Sequence, residues 1–178
     1  MNFDLIKDMF PGYFKKENVN IAEDTITIYF SSTKTSAPCP SCGGETNDIT
    51  TYFTRVIQDL PIIEKRLVLN IRLKKFRCNN LSCKTKVFSE NISGFAGLKQ
   101  RNTNRLNEKL TIFSLTYSAE GAARILLQRG INISGDTLLR LSRKWKPDID
   151  PDKVIAVGID DFALKKTSLW NNYYQSER

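Results

Sequence analysis

The stretch RLVLNIRLKKF, residues 66–76, alternates apolar and polar side chains with the period of two that is typical of a half-buried β-strand. Its apolar face consists of Leu67, Leu69, Ile71 and Leu73. Residues 51–58 predict the partner strand of a hairpin, and the segment DLP at residues 59–61 leads into the turn. Because Phe76 is out of phase with the apolar face, we expect a β-bulge near residues 74–75.

Further strands are predicted on both sides of this hairpin. Two short alternating stretches at residues 18–22 and 25–30 follow a short predicted helix at residues 3–9. Near the other end of the chain, the Pro/Asp-rich connector KPDIDPDK precedes an apolar strand at residues 154–159. The N-terminal segment, residues 1–36, shows no pattern that indicates chemistry.

From about residue 100 the apolar spacing changes to that of amphipathic helices. The first helix has a stripe formed by Leu106, Leu110, Phe113 and Tyr117. A second helix fits AEGAARILLQRG, with Ser118 as its N-cap and Gly130 as the residue that ends it. A third helix fits SGDTLLRLSRKW, with Ser134 as its N-cap and an inward face of Leu138, Leu141 and Trp145.

A helix, a glycine-containing turn and a second helix predict a helix-turn-helix, with a turn slightly longer than in the most compact versions. In that motif the second helix enters the major groove, where arginine can bind guanine and threonine can contact a thymine methyl group. A three-helix bundle with a charged outer face has the same spacing, so both interpretations stay open. The residues of this helix that would contact DNA are Thr137, Arg140, Arg143 and Lys144.

The four cysteines lie in two short-spaced pairs, Cys39 and Cys42 in CPSC, and Cys78 and Cys83 in CNNLSC. Two such knuckles can supply the four thiolates of a tetrahedral structural Zn²⁺ site. Because the sequence contains no histidine, the site must be all-thiolate. Buried or disulfide-linked cysteines are the alternative, which a reducing cytosol disfavours.

The second half of this cysteine-bounded module is strongly basic. From residue 72 to residue 86 there are six basic side chains and no acidic one. Zinc would hold the hairpin in place and would thereby present a basic face to the phosphates of a nucleic acid. A solvated surface strand is the alternative. The six residues are Arg72, Lys74, Lys75, Arg77, Lys84 and Lys86.

Composition agrees with a polyanionic partner. The 178 residues include 27 Lys and Arg against 19 Asp and Glu, which gives a net charge of +8 and a pI near 9.4. No run of about 18 apolar residues could span a membrane, and the first residues lack the features of a signal peptide. We therefore expect a cytoplasmic protein with no membrane partner.

Taken together, these motifs resemble the bacterial insertion-sequence transposases of the ISL-three type. The matching pieces cover about residues 37–166 and run in the family's order: CPSCGG, RVIQDLPI, KKFRCNNLSCKTKVFSE, GDTLLRLSRKW and VIAVGIDDFALKK. The resemblance implies a zinc-binding domain, a helix-turn-helix that recognises the element's terminal inverted repeats in double-stranded DNA, and a DDE nuclease domain of ribonuclease H-like fold. It also implies a bacterial, nucleoid-associated location.

The resemblance further implies where catalysis would begin. In an intact family member three carboxylates hold two Mg²⁺ ions, which activate the attacking oxygen and stabilise the leaving oxygen. By match to the motif the first carboxylate is Asp160, whereas its neighbour Asp161 need not bind metal. A ribonuclease H-like domain needs on the order of a hundred residues. Only eighteen residues follow Asp160, so we expect this chain to be inactive by itself.

The C-terminal residues suggest a change of reading frame. Read one base later, the codons for WNNYY at residues 170–174 encode glycine followed by positions restricted to threonine or isoleucine, which looks like the family's second strand. The preceding Lys165 and Lys166 imply a run of adenines at which polymerases and ribosomes slip. We therefore expect residues 167–178 to be out of frame and to pack poorly.

These predictions describe an α+β protein. A helix and β-hairpin at residues 1–36 precede a zinc-binding domain at 37–92, a helix-turn-helix domain at 98–146, and a linker with the first nuclease strand at 147–166. The predicted function is that of the DNA-binding N-terminal part of a transposase. A non-enzymatic regulator that occupies the inverted repeats and a zinc-stabilised RNA-binding or protein-interaction module are the alternatives, and a homodimer is left open.

Overall fold

The computed structural model of the chain describes residues 9–146, which form a five-stranded sheet, a two-stranded sheet and three helices. This confirms the α+β class. The predictions for residues 3–8, for Asp160 and Asp161, and for the rest of 147–178 lie outside the described residues. The strands are β1 (Phe14–Ile21), β2 (Thr25–Ser32), β3 (Ala37–Pro38), β4 (Glu45–Thr46), β5 (Ile49–Ile62), β6 (Lys65–Arg77) and β7 (Val87–Ser89), and the helices are α1 (Asn104–Thr116), α2 (Ala119–Gln128) and α3 (Gly135–Ser142).

Strand β6 lies at the centre of the larger sheet, whose order is β1-β2-β6-β5, with β7 paired to the end of β6. It runs parallel to β2 and antiparallel to β5 and β7. The N-terminal hairpin of β1 and β2 and the hairpin of β5 and β6 therefore belong to one sheet. The small sheet pairs β3 with β4 beside the first cysteine pair.

The predicted apolar face of β6 forms the main core. Leu67, Leu69, Ile71 and Leu73 have no exposed surface. They pack with Ile28 and Phe30 of β2, with Ile57 of β5, and with a group of aromatic rings that closes the core from one side. Full burial of one such side chain contributes about 1.5 to 3 kcal/mol, so this face accounts for a large part of the sheet's stability. The aromatic rings belong to Phe10, Phe14 and Phe95.

The hairpin of β5 and β6 differs from the prediction at both ends. Its turn consists of Ile63 and Glu64, both with positive φ (51° and 61°), so β5 continues through residues 59–61. The bulge near residues 74–75 was predicted on the wrong strand. The extra residue is Thr50 of β5, and β6 keeps an unbroken register up to Phe76. Phe76 is out of phase because it packs in the separate core around the cysteines.

The three helices pack around a core of their own. The capping predictions are confirmed, since the Ser118 hydroxyl accepts from the backbone N–H of Gly121 and the Ser134 hydroxyl accepts from that of Thr137. Two inward-facing predictions were wrong: Tyr117 and Trp145 lie beyond the helix ends and are 50% and 48% exposed. The buried core residues are Leu106, Leu110, Ala122, Leu126, Ile131 and Leu138.

A buried ion pair joins helix α1 to strand β5. The Asp59 carboxylate has no exposed surface and accepts hydrogen bonds from the Arg105 guanidinium, with Nε 2.9 Å from Oδ1 and 3.1 Å from Oδ2. The Thr103 hydroxyl, which also caps α1, donates to the same carboxylate at 2.6 Å. These bonds raise the pKa of Arg105 above its usual value. The beginning of α1 is therefore held on the sheet by charge and by hydrogen bonds.

Gly130 brings the turn between α2 and α3 against the tip of the hairpin. Its φ is +74°, which suits the residue that follows a helix end. A Cβ atom at this position would overlap the carbonyl oxygen of Glu64 and would lie 3.0 Å from the backbone nitrogen of Arg66. Glycine is therefore required twice, for the left-handed backbone and for the close approach.

We expect Gly130→Ala to lower the free energy of unfolding by about 2 to 4 kcal/mol, because it combines left-handed strain with a backbone overlap. Urea denaturation followed by circular dichroism measures this change. Gly94→Ala is the control, since a Cβ atom there meets nothing within 4 Å. Equal stability of the two variants would contradict the close packing of the turn on the hairpin.

Replacement of Arg105 by alanine leaves the Asp59 carboxylate buried without its cation. We expect a loss of about 3 kcal/mol in the free energy of unfolding, since an uncompensated buried charge is strongly destabilising. Lys109→Ala removes an exposed charge from the same helix and should change stability by less than about 0.5 kcal/mol. A similar loss in both variants would show that the ion pair does not anchor α1.

Candidate zinc site and basic surfaces

The four cysteine sulfur atoms meet at one point. All of them lie within 4.8 Å of one another, and the Cys39–Cys83 and Cys42–Cys78 sulfur distances are 3.8 and 3.6 Å. Sulfur atoms at the corners of a tetrahedron with Zn–S bonds of about 2.3 Å are about 3.8 Å apart. A disulfide would require about 2.05 Å. The spacing therefore fits a shared metal ion, and all four cysteines are free.

Each pair of cysteines lies on a tight turn. The local sequence explains the backbone hydrogen bonds of both turns. In the first knuckle the N–H of Gly43 donates to the carbonyl of Cys39, and Gly43 adopts a φ of +73°. In the second, the N–H of Cys83 donates to the carbonyl of Asn80, while the Asn80 side chain accepts from the N–H of Ser82. The hydroxyls of Ser41 and Thr85 join the knuckles at 2.6 Å.

The electrostatics of the cluster favour a cation. The backbone N–H of Ser41 holds the pKa of Cys39 at about 7, below its usual value. At Cys78 the N–H of Asn80 lowers the pKa, but burial and the neighbouring thiols outweigh it and raise the pKa to about 12. Four sulfurs this close can all ionise only if a positive charge compensates them, and Zn²⁺ supplies that charge.

A small apolar core supports the cysteine cluster. The Phe76 and Phe88 rings stack with centroids 6.0 Å apart, next to Ala37 and Ile49. This core is too small to hold the two knuckles by burial alone, which is the usual situation in which a metal ion contributes to folding. The core joins the larger sheet through Phe76 at the end of β6.

Comparison with known families agrees with this geometry. Residues 35–83, which contain all four cysteines, match a family model described as the zinc-finger of transposase IS204/IS1001/IS1096/IS1165. Searches of curated proteins and of solved structures gave no match. The match and the four-cysteine cluster together support a structural zinc ion at this site.

The structure does not bring the six predicted basic residues of residues 72–86 onto one face. Arg72 is exposed and stacks on Tyr52, with its guanidinium carbon 4.4 Å from the ring centroid. Lys74 is half-buried and donates to the carbonyl of Lys34. The other four point elsewhere along the strand or lie on the second knuckle: Lys75 near the Phe53 ring, Arg77 paired with Asp48, Lys84 exposed, and Lys86 bonded to the Leu81 carbonyl.

The predicted DNA-contacting residues of the third helix divide into two groups. Thr137, Arg140 and Lys144 line a cleft between α3 and the sheet, whereas Arg143 is exposed outside that cleft. Helix α3 ends at Ser142, so Arg143 and Lys144 follow the helix rather than extend it. Within residues 9–146, no helix is long and apolar enough to cross a membrane.

Sequence reasoning missed the sheet residues that form the opposite wall of this cleft. Gln58 and Arg66 come from strands, and Lys99 and Arg101 come from a loop that no periodicity predicted. The sequence GLKQR at residues 97–101 is locally basic, and this was the available signal.

We expect the purified protein to contain one zinc ion per chain and Cys39→Ser to lose it, together with the ordered structure of residues 37–89. Structural zinc contributes on the order of 10 kcal/mol of folding free energy, so the effect should be complete. Metal content measured by mass spectrometry and circular dichroism report the two losses. Ser41→Ala, which removes only the hydroxyl that contacts Thr85, is the matched control and should keep its zinc. Full zinc content in Cys39→Ser would contradict the ligand assignment.

Proposed function

We propose that this chain is the DNA-binding N-terminal part of an insertion-sequence transposase and that it recognises the terminal inverted repeats of its element in double-stranded DNA. The observation that carries the proposal is the four-cysteine cluster inside the segment that matches a transposase zinc-finger model. A zinc ribbon of that family belongs to a protein whose substrate is DNA, and the net charge of +8 suits a polyanion.

In this proposal, basic side chains on the sheet and next to α3 are the groups that contact DNA. Arg72 lies exposed on an aromatic ring, where it can contact a phosphate without disturbing the core. Arg143 is exposed directly after α3, in a position from which an arginine could reach the edge of a guanine. In this proposal the zinc site fixes the hairpin, and the three helices α1–α3 act as the helix-turn-helix that reads sequence.

The proposal assigns DNA binding, not catalysis, to the described residues. Between residues 9 and 146, the cysteine cluster is the one group of at least three His, Cys, Asp or Glu side chains placed to share a metal ion. Asp160, the proposed first carboxylate of a DDE set, lies outside this range. A protein that occupies the inverted repeats without cutting them would act as a regulator of transposition.

A binding assay on the full chain tests the proposed function. Zinc-loaded protein should bind a duplex that carries the element's terminal repeat at least about 1,000-fold more tightly than a shuffled duplex. Fluorescence anisotropy at a fixed salt concentration measures both affinities, and Cys39→Ser should lose the preference. Equal affinity for duplex DNA and structured RNA, without sequence preference, would instead favour an RNA-binding or protein-interaction module.

Arg143→Ala tests sequence reading within that assay. If the side chain contacts a base, the variant should lose about 1 to 3 kcal/mol on the terminal repeat and should relax the preference at one base pair. A loss of the same size on every duplex would mean that Arg143 contacts phosphate and that another residue reads the repeat.

A further inference from the structure

A cleft of about 1010 Å³ separates α3 from the sheet. Residues of β5 and β6 form one wall, residues 98–102 form the floor, and α3 with the turn before it forms the other wall. We propose that this cleft holds the phosphodiester backbone of one strand of duplex DNA. The proposal rests on the proposed function and names a contact surface that the zinc site and the base-reading position do not include.

The charge of the cleft is the first argument. Five basic side chains line it, no acidic side chain does, and none of the five is paired with a carboxylate among residues 9–146. Basic side chains that share a cleft without acidic partners repel one another, and a polyanion is the ligand that removes this repulsion. The five are Arg66, Lys99, Arg101, Arg140 and Lys144.

The second argument is a buried hydrogen-bond donor without an acceptor. Gln58 lines the cleft and is only 9% exposed. Its Oε1 accepts from the backbone N–H of Asn132 at 3.3 Å, which fixes the orientation of the amide, and its Nε2 has no hydrogen-bond partner. An unsatisfied buried donor costs about 1 to 3 kcal/mol, so a ligand oxygen that accepts a hydrogen bond from this nitrogen would offset an unfavourable state of the cleft wall.

A second nitrogen in the same cleft has the same property. Arg66 Nε is buried and unpartnered, and within residues 9–146 it and Gln58 Nε2 are the two buried side-chain nitrogens or oxygens in this state. Both belong to residues of the sheet wall, on adjacent strands. Lys99, which lies in the floor of the cleft, adopts a left-handed backbone with a φ of 61°. Strained backbone conformations of this kind cluster at functional sites.

The chemistry of the lining selects phosphate and sugar rather than bases. Besides the five cations, the polar side chains of the cleft are amides and hydroxyls, the groups that position a protein on a nucleic-acid backbone. The lining contains no aromatic ring, whereas sites for single-stranded nucleic acid stack bases on aromatic side chains. Duplex DNA, whose bases stay stacked inside, is therefore the partner that fits.

The sheet wall of the cleft continues along β6 toward the exposed Arg72. Arg66, Val68, Asn70 and Arg72 alternate along one side of β6, so the sheet wall of the cleft leads to Arg72 over about 20 Å. One DNA strand that enters the cleft can thus follow the sheet toward the zinc ribbon. In this arrangement Arg140 and Lys144 contact phosphates, and Arg143, outside the cleft, keeps the base-reading role.

The test compares three variants of the full, zinc-loaded chain. Arg101→Gln removes an exposed, unpaired cation of the cleft, and Gln58→Glu replaces the unpartnered donor by a carboxylate oxygen. Arg129→Gln, which removes an exposed cation at the C-cap of α2 that does not line the cleft, is the matched control. Fluorescence anisotropy with the terminal-repeat duplex, a shuffled duplex and single-stranded DNA is measured at several salt concentrations, and zinc content and circular dichroism verify folding.

We expect Arg101→Gln to weaken binding to both duplexes by the same factor, about 5- to 10-fold, and to reduce the slope of log K against log salt by about 1. Gln58→Glu should weaken both by more than about 10-fold, because its carboxylate faces phosphate, and Arg129→Gln should bind like the unmodified chain. Because Arg101 is exposed, Arg101→Gln should fold normally. The test therefore remains decisive even if Gln58→Glu does not fold.

Three outcomes would overturn the cleft proposal. Unchanged affinity and salt slope in Arg101→Gln would show that DNA does not enter the cleft, while specific binding by the unmodified chain would still support the proposed function. A changed preference at a single base pair would make Arg101 a base contact. Loss of single-stranded but not duplex binding would assign the cleft to a single strand. Failure of the unmodified chain to bind any DNA would instead reject the proposed function.

Discussion

The pairing of β6 with three other strands is the interaction on which the rest of the structure depends. Its backbone bonds to β2, β5 and β7, and its side chains serve three different environments. Leucine and isoleucine side chains on one face form the main core, Arg66 on the other face lines the cleft, and Phe76 enters the core around the cysteines. A shift of one residue in this strand would exchange the two faces and disrupt all three.

Two consecutive residues of β5 connect the sheet to helix α1 and to the cleft. Asp59 points toward α1 and holds Arg105 and Thr103, while Gln58, on the opposite face of the strand, lines the cleft. The backbone of Gln58 also exchanges hydrogen bonds with residues 101 and 103, which ties the cleft floor to the same strand. Because α3 packs with α1 in the helix core, the ion pair that anchors α1 also helps to hold α3 beside the sheet.

The sequence correctly predicted the features that depend on local periodicity or on residue spacing. Alternation identified the buried face of β6, the cysteine spacing indicated a shared metal, and Ser118 and Ser134 were recognisable caps. The bulge was assigned to the wrong strand because Phe76 reveals a change of environment, not which strand holds the extra residue. Trp145 was predicted inside because helical spacing does not show where a helix ends.

The cleft could not have been predicted in this way, since its walls come from segments whose contact depends on tertiary packing. The rigidity of strand β6 has a consequence for the proposed binding of DNA. Arg66 and Phe76 stand on one continuous strand, so the cleft and the zinc ribbon keep a constant separation of about 33 Å without a flexible linker. In the proposed complex, two electrostatic contacts held at this fixed distance would bind one DNA molecule more tightly than either alone, because the second contact forms with little further loss of freedom. In this proposal the zinc ion would contribute to DNA affinity by maintaining the geometry of the two contacts, even where it touches no phosphate.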